Sequence, residues 1–532
     1  MTPARTRRLL IIGWDGADWE IVNDLIERGD LPNVGRMIEE GAAGNLDSTT
    51  PSHSWAAWST FLTGMNPGSH GVFDFVERDP KEPRRRIPVS SRSIKTPTFF
   101  ERLSEAGHEV RLGNIPVTFP PTPVRGRIIA GVTVPPGSSF VYPEEWAAEL
   151  RESAPFPVNG MEWTRFRDDP EALAREAKGL VERRTGSFEC LLGGEWKVAT
   201  CVYVAPDRLQ HPLASYLMPS HPDYPRLADG ATGHAIRDVY RTLDSSIEHL
   251  RVAAGPAASL ILMSDHGFRP VNRACNLGAV LNELGFSASL RTTTARNAVL
   301  RSSVAGAIAK RRVGQALKKR LRSPSRIDWK ATVAYESALG FGVSVNLKGR
   351  EPDGIVDPKD HEKVLEEVHD ALLGFTEAGT SERPVGFVAR KEDLYQGSYR
   401  GLAPDLIVES NPLWAFSRLH QPTARIDWPS GTHRRRGILL AHGNGIERGS
   451  LGDRHIADIA PTALAFSGTP LGSDLEGEVI EEIAGTTAPT AVPASNTFTD
   501  GDPKDSSQGF TELTQEEQES ISSHLRSLGY IE

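Results

Sequence analysis

The segment Arg8-Leu9-Leu10-Ile11-Ile12-Gly13-Trp14-Asp15-Gly16 joins a short apolar run to a carboxylate at its end. The run predicts a buried first strand over Arg8–Gly13, so Asp15 lies where that strand ends. The basic residues before it resemble the start of a signal peptide. The apolar run is only about six residues long, however, and no cleavage site of small residues follows it. We therefore interpret the segment as part of a folded sheet.

The same kind of apolar run recurs along the chain and alternates with helical patterns. Further strands are predicted at Val110–Asn114, Arg127–Val132, Val198–Ala205, Ser259–Ser264, Asp405–Glu409 and Gly437–Ala441. Helices are predicted at Ile21–Glu27, Trp55–Thr63, Pro97–Glu105, Glu171–Arg184, Ile236–Ala253, Leu277–Leu284 and His361–Leu373. Continuous apolar strands that alternate with helices predict an α/β fold, with a mainly parallel central sheet and helices on both faces.

Composition narrows the class of protein. The chain has 532 residues with 39% hydrophobic content, and its 60 Lys plus Arg against 69 Asp plus Glu give a net charge of −9. This mild acidity argues against a general nucleic-acid binder, and the apolar content excludes a disordered chain. Cys190, Cys201 and Cys275 cannot form a disulfide framework. No stretch approaches the ~20 apolar residues of a membrane span, so we expect a large cytoplasmic enzyme.

Four separate segments combine Asp and His close to predicted strand ends. They are Gly13-Trp14-Asp15-Gly16, Pro206-Asp207-Arg208-Leu209-Gln210-His211, Asp265-His266-Gly267-Phe268 and Gly431-Thr432-His433. In open parallel sheets, ligands bind beyond the carboxyl ends of the strands. The first three segments begin at that edge. The fourth precedes the predicted strand Gly437–Ala441 and could fold back to meet them.

These residue types suit divalent metal ions. Imidazole and carboxylate together favour zinc, manganese or iron over calcium or magnesium. Asp207 and His211 are four residues apart and could face one ion, whereas the adjacent Asp265 and His266 could share an ion only in an irregular loop. Six Asp and His ligands are too many for one four-coordinate zinc. They suit a two-metal centre, in which the ions stabilise the attacking and the leaving oxygen atoms of an in-line phosphoryl displacement.

Residues 48–64, STTPSHSWAAWSTFLTG, offer hydroxyl groups at the start of a helix. The predicted helix Trp55–Thr63 ends at Gly64, which places Ser54 at its N-cap. A metal-coordinated hydroxyl there is activated as an alkoxide, and the helix N-terminus offers free N–H groups to a phosphate. Ser54 is therefore the candidate nucleophile. Ser52 and Thr50 are the fallback hydroxyls if the register differs.

Taken in order, these motifs resemble the alkaline phosphatase superfamily and, within it, the type I phosphodiesterase and nucleotide pyrophosphatase-like group of predicted phosphohydrolases or phosphomutases. The resemblance covers most of residues 7–480. It also includes Thr63-Gly64-Met65-Asn66-Pro67-Gly68-Ser69-His70-Gly71, Asn346-Leu347-Lys348-Gly349-Arg350-Glu351, Ala403-Pro404-Asp405 and Asp458-Ile459-Ala460-Pro461-Thr462. Each motif is weak alone, but all of them in the right order are specific.

The resemblance implies a division of the ligands between two ions, zinc by expectation with manganese as the alternative. One ion would be held by Asp207, His211 and His433, and the other by Asp15, Asp265, His266 and the Ser54 hydroxyl. Ser54 would attack phosphorus and form a phosphoseryl intermediate. This chain departs from the phosphodiesterase branch in having Ser where Thr is frequent, and Ala57 where an Asn contacts a phosphate oxygen.

We therefore expect metal-dependent hydrolysis of phosphoric esters, of the phosphodiesterase or nucleotide pyrophosphatase type. The substrate would be a small phosphorylated molecule such as a nucleotide or phosphodiester, with no specific nucleic acid as partner. A phosphomutase or phosphomonoesterase would use the same site. A membrane- or polyanion-associated module with a vestigial site is the alternative from another class.

The ligands extend from Asp15 to His433, so residues 1–483 are predicted to form one catalytic domain with cap insertions at about 75–195 and 285–400. Residues 484–512 predict a flexible linker, and a polar helix follows within 513–532. The segment 291–330 predicts a basic amphipathic helix or helix pair. We interpret it as the solvated face of a cap, and docking on an anionic membrane or binding a polyanionic substrate is the alternative.

Overall fold

The computed structural model describes residues 7–79, 85–158, 160–161, 163–166, 168–289, 327–337, 341–417, 421–485 and 513–527. Its strands are β1 (Arg8–Trp14), β2 (Ala42–Asp47), β3 (Val76–Arg78), β4 (Arg86–Pro88), β5 (Val110–Gly113), β6 (Gly126–Ile129), β7 (Val141–Tyr142), β8 (Val198–Tyr203), β9 (Ala258–Met263), β10 (Gly267–Cys275), β11 (Ala334–Glu336), β12 (Gly342–Val345), β13 (Val385–Arg390), β14 (Leu406–Ser410), β15 (Leu413–Phe416), β16 (Thr423–Arg434), β17 (Arg436–His442) and β18 (Gly449–His455).

Its α-helices are α1 (Trp19–Glu27), α2 (Pro32–Glu40), α3 (Ser54–Thr63), α4 (Pro67–His70), α5 (Phe99–Glu105), α6 (Trp146–Ser153), α7 (Pro170–Leu191), α8 (Ala205–Leu213), α9 (Tyr224–Leu227), α10 (Ala231–Ala254), α11 (Leu277–Glu283), α12 (His361–Gly374), α13 (Lys391–Leu394), α14 (Ile459–Ser467), α15 (Glu481–Ala484) and α16 (Gln515–Ser527). Each strand and helix predicted outside 291–330 has a counterpart here, with bounds that differ by up to seven residues.

A nine-stranded sheet organises the molecule, in the order β18-β2-β17-β9-β1-β8-β5-β6-β7. Its middle strands, from β9 to β6, all run parallel. The strand β17 runs antiparallel to β9, and β7 runs antiparallel to β6. The mainly parallel sheet predicted from the apolar runs is therefore confirmed.

Helices cover both faces of this sheet, which explains the unbroken apolar run Leu9–Ile12 within β1. Leu10 and Ile12 pack on one face with side chains of α1, α7 and α10, whereas Leu9 and Ile11 pack on the other with α3, α5 and α14. All four side chains are fully buried. Successive side chains of a strand point to opposite faces, so a strand covered on both faces needs apolar residues at every position.

A second, antiparallel sheet lies outside the central one, in the order β11-β12-β14-β13. Together with α11 and α12 it encloses a separate apolar core that includes Val343, Leu365 and Val408. This unit covers much of the predicted cap at 285–400. The strands β5 and β6 lie within the other predicted cap, 75–195, and pair in the central sheet. The division into domains stays a prediction.

The C-terminal helix α16 packs on the main body of the protein. Ile521 and Leu525 are buried in the same core as α3, and Arg85 donates a hydrogen bond to Gln518. The predicted linker at 484–512 lies outside the described residues except for its first two positions, where Ala484 ends α15. Most of the predicted basic segment at 291–330 also lies outside the described residues. None of the described helices combines the length and the apolar character needed to cross a membrane.

Candidate active site

The predicted Asp and His residues converge at the carboxyl edge of the central sheet. Asp15 follows β1, Asp207 lies in the first turn of α8 after β8, and Asp265 and His266 follow β9. These three strands are parallel neighbours, so their ends lie side by side. His433 comes at the end of β16, just before β17 begins. Because β17 is antiparallel to β9, its start lies at the same edge.

Asp207, His211 and His433 form the first cluster. Asp207 Oδ1 lies 3.2 Å from His211 Nε2 and 3.1 Å from His433 Nε2, and these two nitrogen atoms are 3.1 Å apart. His211 follows Asp207 by one turn of α8, which places both side chains on one face of the helix. His433 is fixed beside them because β16 pairs with β10, where it lies opposite Phe268.

Asp15, Asp265, His266 and Ser54 form the second cluster. His266 Nε2 lies 3.1 Å from Ser54 Oγ, 3.3 Å from Asp265 Oδ2 and 3.7 Å from Asp15 Oδ1. The rings of His266 and His433 stack at 3.8 Å, so the two clusters adjoin. Ligand atoms of Asp15, Asp207 and His266 also lie within 4.8 Å of one another. Asp207 thus belongs to both groups of potential ligands, a sharing that the sequence did not predict.

Backbone carbonyl groups orient all three imidazole rings. The Nδ1 atoms of His211, His266 and His433 lie 3.2, 3.1 and 2.9 Å from the carbonyl oxygens of Gly431, Gly267 and Ser52, respectively. A ring nitrogen can donate to a carbonyl only when it carries a hydrogen, so each neutral ring carries its proton on Nδ1 and its lone pair on Nε2. Lone pairs on two Nε2 atoms beside a carboxylate repel one another unless a cation lies between them.

Two buried carboxylate oxygens strengthen the case for metal ions. Asp15 Oδ1 and Asp265 Oδ2 accept no hydrogen bond from an N–H donor of the described residues. Burial, followed by the nearby Asp265 and Asp207, raises the pKa of Asp15 well above its usual range. Burial also raises the pKa of Asp265. Buried carboxylates are stable as anions when they pair or bind a metal, so these side chains fit a two-metal site.

The electrostatics of Asp207 differ from those of its neighbours. Burial works against ionisation of this carboxyl group, but the adjacent His211 and His433 outweigh it and hold the pKa well below its usual range. Burial disfavours charge on His211 too, yet the Asp207 carboxylate raises the pKa of that imidazole. The first cluster therefore combines one carboxylate with two imidazoles, whereas the second brings two buried carboxylates together.

Ser54 lies at the start of α3 with its side chain buried. It is the first residue of the helix, whereas the sequence predicted it as the N-cap that precedes the helix. His53 has extended backbone, with φ −133° and ψ 124°, and is the N-cap, and Ser54 is the first helical residue. The prediction of Ser54 as the N-cap was therefore wrong. The backbone N–H groups of a first helical turn have no acceptor within the helix. They lie beside the Ser54 hydroxyl and can bind phosphoryl oxygens.

The other predicted positions of this segment take different roles. Ser52 reaches the site through its carbonyl oxygen, which accepts the hydrogen bond from His433 Nδ1. The Thr50 hydroxyl accepts a hydrogen bond of 3.4 Å from Arg435. Ala57 is completely buried in the apolar core beneath the site. It offers no polar group to replace the Asn of the phosphodiesterase branch.

Two hydrogen-bonding side chains at this site, Trp58 and Asp18, were not predicted from the sequence. Trp58 donates from Nε1 to Asp15 Oδ2 at 3.2 Å. Trp58 follows Ser54 by four residues, so the two side chains lie on one face of the helix, and this spacing could have indicated that Trp58 is near the site. Asp18 accepts hydrogen bonds from the backbone N–H of Phe268 and from the Arg434 guanidinium. It therefore ties the loop after β1 to the strand that carries His433.

The backbone of Gly16 connects Asp265 of the second cluster to α8, the helix that carries Asp207 and His211. Its N–H donates to Asp265 Oδ1 at 3.0 Å, and its carbonyl accepts from Gln210 Nε2 at 2.9 Å. Its φ of 70° lies in the left-handed region, which glycine adopts without strain. A Cβ there would also lie 3.2 Å from Gln210 Nε2.

Replacement of Trp58 with Phe tests the hydrogen bond to Asp15. The ring keeps most of its packing but leaves Asp15 Oδ2 without its N–H donor. Loss of a hydrogen bond to a charged group costs about 1.5–3 kcal/mol, so we expect kcat/KM for a phosphodiester to fall about 10- to 100-fold. Trp146→Phe is the matched control, because its buried Nε1 has no hydrogen-bond partner among the described residues. Equal activity losses in the two variants would contradict the assigned role.

Comparison with known proteins now assigns the family. A family model of type I phosphodiesterases and nucleotide pyrophosphatases matches residues 9–438. The chain belongs to this family. The match begins in β1, ends in β17 and includes all six Asp and His residues of the two clusters. The family resemblance drawn from the sequence motifs is thereby confirmed, and the chain belongs to a family of phosphoric-ester hydrolases.

Solved structures of two kinds of hydrolase share the fold. Murine ectonucleotide pyrophosphatase/phosphodiesterase 5 is similar over 87% of this chain and 95% of its own, with a TM-score of 0.52 and 14% identity. Its inactive form in complex with AMP gives a TM-score of 0.51 at 14% identity, over 92% and 97% of the two chains. Phosphonoacetate hydrolase from Sinorhizobium meliloti 1021, in complex with phosphonoacetate, gives 0.53 at 14% identity, over 87% and 96%.

At such low identity these likenesses concern the fold alone. They confirm the alkaline phosphatase-like α/β architecture. A search of curated protein sequences gives no match.

Proposed function

We propose that this protein is a metal-dependent phosphoric-ester hydrolase of the phosphodiesterase or nucleotide pyrophosphatase type, with Ser54 as its nucleophile. The observation that carries the proposal is the position of Ser54 Oγ, 3.1 Å from His266 Nε2 at the start of a helix. Asp15 and Asp265 adjoin the same imidazole. Membership of the family supports the reaction class.

Two divalent ions are the cofactors that fit this arrangement. Asp207, His211 and His433 would hold one ion, and Asp15, Asp265 and His266 would hold the other together with the Ser54 hydroxyl. When bound, such ions supply Lewis acidity to the oxygen atoms around phosphorus. Zinc suits the mixture of imidazole and carboxylate, and manganese is the alternative.

The side chains and backbone of this protein orient the reaction. Ser54 Oγ forms the new bond to phosphorus while the bond to the leaving oxygen breaks, and the hydroxyl proton passes to water. Water then cleaves the phosphoseryl bond and regenerates the hydroxyl. The N–H groups in the first turn of α3 hold the phosphoryl oxygens during both steps, since a helix N-terminus favours negative charge. Trp58 and the three backbone carbonyls keep Asp15 and the imidazoles in place.

Membership of the family and one solved structure support substrates of the nucleotide or phosphodiester class. The murine protein, in an inactive form, is found in complex with AMP. We carry that class of ligand over to this chain, as a substrate or product, and expect the enzyme to act in the cytoplasm.

Metal removal tests the proposed function. After treatment with a chelator, we expect hydrolysis of bis-p-nitrophenyl phosphate to fall at least about 100-fold, with recovery on addition of zinc or manganese. The melting temperature should fall with the metal, because a ligand of the folded state stabilises that state. Metal analysis of the untreated protein should give two ions per chain. Full activity in the metal-free protein would refute the proposal.

A further inference from the structure

A cavity of about 730 Å³ lies beside the segment that leads into α3. Its wall includes Pro51, Asp74 and Phe341. Both Asp74 and Phe341 contact His53, the residue before Ser54. Asp74 Oδ1 lies 3.6 Å from His53 Nε2, and the centroids of the Phe341 and His53 rings are 5.6 Å apart. The cavity is therefore adjacent to the nucleophile segment, and it is large enough for a ligand of nucleotide size.

The lining of this cavity is predominantly basic. Six of its described residues are basic and three are acidic: Arg78, Arg85, Arg86, Arg92, Lys95 and Arg350 against Asp74, Glu77 and Asp79. Some of the cations are paired within the protein. Arg78 pairs with Glu351, Arg350 with Asp405, and Arg85 with Asp79.

Arg86 and Lys95 differ from these paired cations. Neither forms an ion pair with a described residue, and Lys95 Nζ donates to the carbonyl of Arg92 at 3.4 Å. Burial lowers the pKa of Arg86 and the neighbouring Arg78 lowers it further, whereas Tyr335, Asp74 and Glu351 act in the opposite direction. A partly desolvated guanidinium that no carboxylate contacts directly is unfavourable. A bound anion would relieve that cost, because arginine recognises phosphate through paired hydrogen bonds.

The C-terminal helix completes the cavity. Leu513, Gln515 and Gln518 line it, and Gln518 accepts a hydrogen bond from Arg85. Amide side chains are neutral donors, so they can bind a phosphate without cancelling the basic charge. The helix α16, which follows residues 486–512 in the chain, and the residues just before it thus form part of the wall of a basic cavity next to the proposed nucleophile.

We propose that this cavity binds a phosphate-bearing anion at a second site, distinct from the position of the scissile phosphoryl group, with Arg86 and Lys95 as its main cationic contacts. The anion is either a second phosphate group of the substrate or a separate phosphate-bearing ligand. In the first case the inference rests on the proposed function and narrows the substrates to those with more than one anionic group.

Titration calorimetry with inorganic phosphate on the full-length, metal-loaded protein tests the site. We expect two binding sites in the wild type, and in Arg86→Gln an affinity at one of them that is at least about 10-fold weaker. Lys95→Gln is the second variant, and the exposed Arg175 of α7 supplies the control Arg175→Gln. If the proposed metal site fails to bind phosphate, the wild type should show a single site that Arg86→Gln weakens. Unchanged binding in Arg86→Gln and Lys95→Gln would overturn the inference.

Kinetics distinguish the two sources of the anion. ATP carries phosphate groups beyond the scissile one, whereas bis-p-nitrophenyl phosphate does not. If the anion belongs to the substrate, Arg86→Gln should raise KM for ATP about 10-fold and leave KM for bis-p-nitrophenyl phosphate unchanged. If both KM values are unchanged while phosphate binding is lost, the cavity takes a separate ligand. Equal rises for both substrates would contradict a distinct anion site.

Discussion

Replacement of Ser54 with Ala is expected to lower the turnover of bis-p-nitrophenyl phosphate by at least about 10⁴-fold while both metal ions stay bound. The substitution removes the atom that we propose attacks phosphorus but leaves all six Asp and His side chains in place. Stability should change little, because the N-cap of α3 is His53 rather than Ser54. Mass spectrometry of protein quenched during turnover should detect a phosphoseryl group in the wild type and none in the variant.

The neighbouring hydroxyl groups provide controls for this result. Ser52 takes part through its carbonyl oxygen, and the Thr50 hydroxyl is bonded to Arg435. We therefore expect Ser52→Ala and Thr50→Val to retain most of the activity. Full turnover by Ser54→Ala would eliminate it as the nucleophile, and an equally large loss in Ser52→Ala would move the assignment to that residue.

Replacement of Asp207 with Asn is expected to weaken metal binding at least about 100-fold and to abolish activity with it. Asp207 Oδ1 is the common contact of His211 Nε2 and His433 Nε2, and its carboxylate also lies within reach of Asp15 and His266. An amide of the same shape removes the negative charge that both groups of ligands share. Metal content after dialysis should fall, and added zinc should no longer raise the melting temperature.

A carboxylate remote from the site controls for general destabilisation. Asp30 is also buried, and it forms ion pairs with Arg237 and Arg241. Breaking a buried ion pair destabilises the fold, so Asp30→Asn should lower the melting temperature while the metal content stays unchanged. Wild-type metal content in dialysed Asp207→Asn would show that this carboxylate is not a ligand.

The strands of the central sheet were predictable because their environment is uniform. β1, β8 and β9 are flanked by strands and covered by helices, so nearly all of their positions are apolar; Arg8, Thr200 and Ser259 are the exceptions. The strand β14 begins with a similar apolar run, Leu406–Val408, but belongs to the separate antiparallel sheet. An apolar run reports burial, and it carries no information about which sheet buries it.

The candidate ligands were predictable for a related reason. In a parallel sheet, residues that follow neighbouring strands meet at one edge, so Asp15, Asp207 and Asp265 could be grouped without coordinates. Trp58 and Asp18 were missed because their partners lie far away in the chain. Their hydrogen bonds to Asp15 and Arg434 depend on how α3 and β16 pack on the sheet.

The sequence by itself determined the apolar strands, the polar residues at their ends and the order of the motifs, because these follow from local periodicity and from residue chemistry. Only the tertiary structure decided that Asp207 is shared by both clusters and that backbone carbonyls turn each Nε2 inward. It alone also placed α16 against the basic cavity. Apart from the contact of His266 with the carbonyl of Gly267, these features depend on residues that lie far apart in the chain. Packing of the sheets and helices brings such residues together, and their contacts produce no periodic pattern in the sequence.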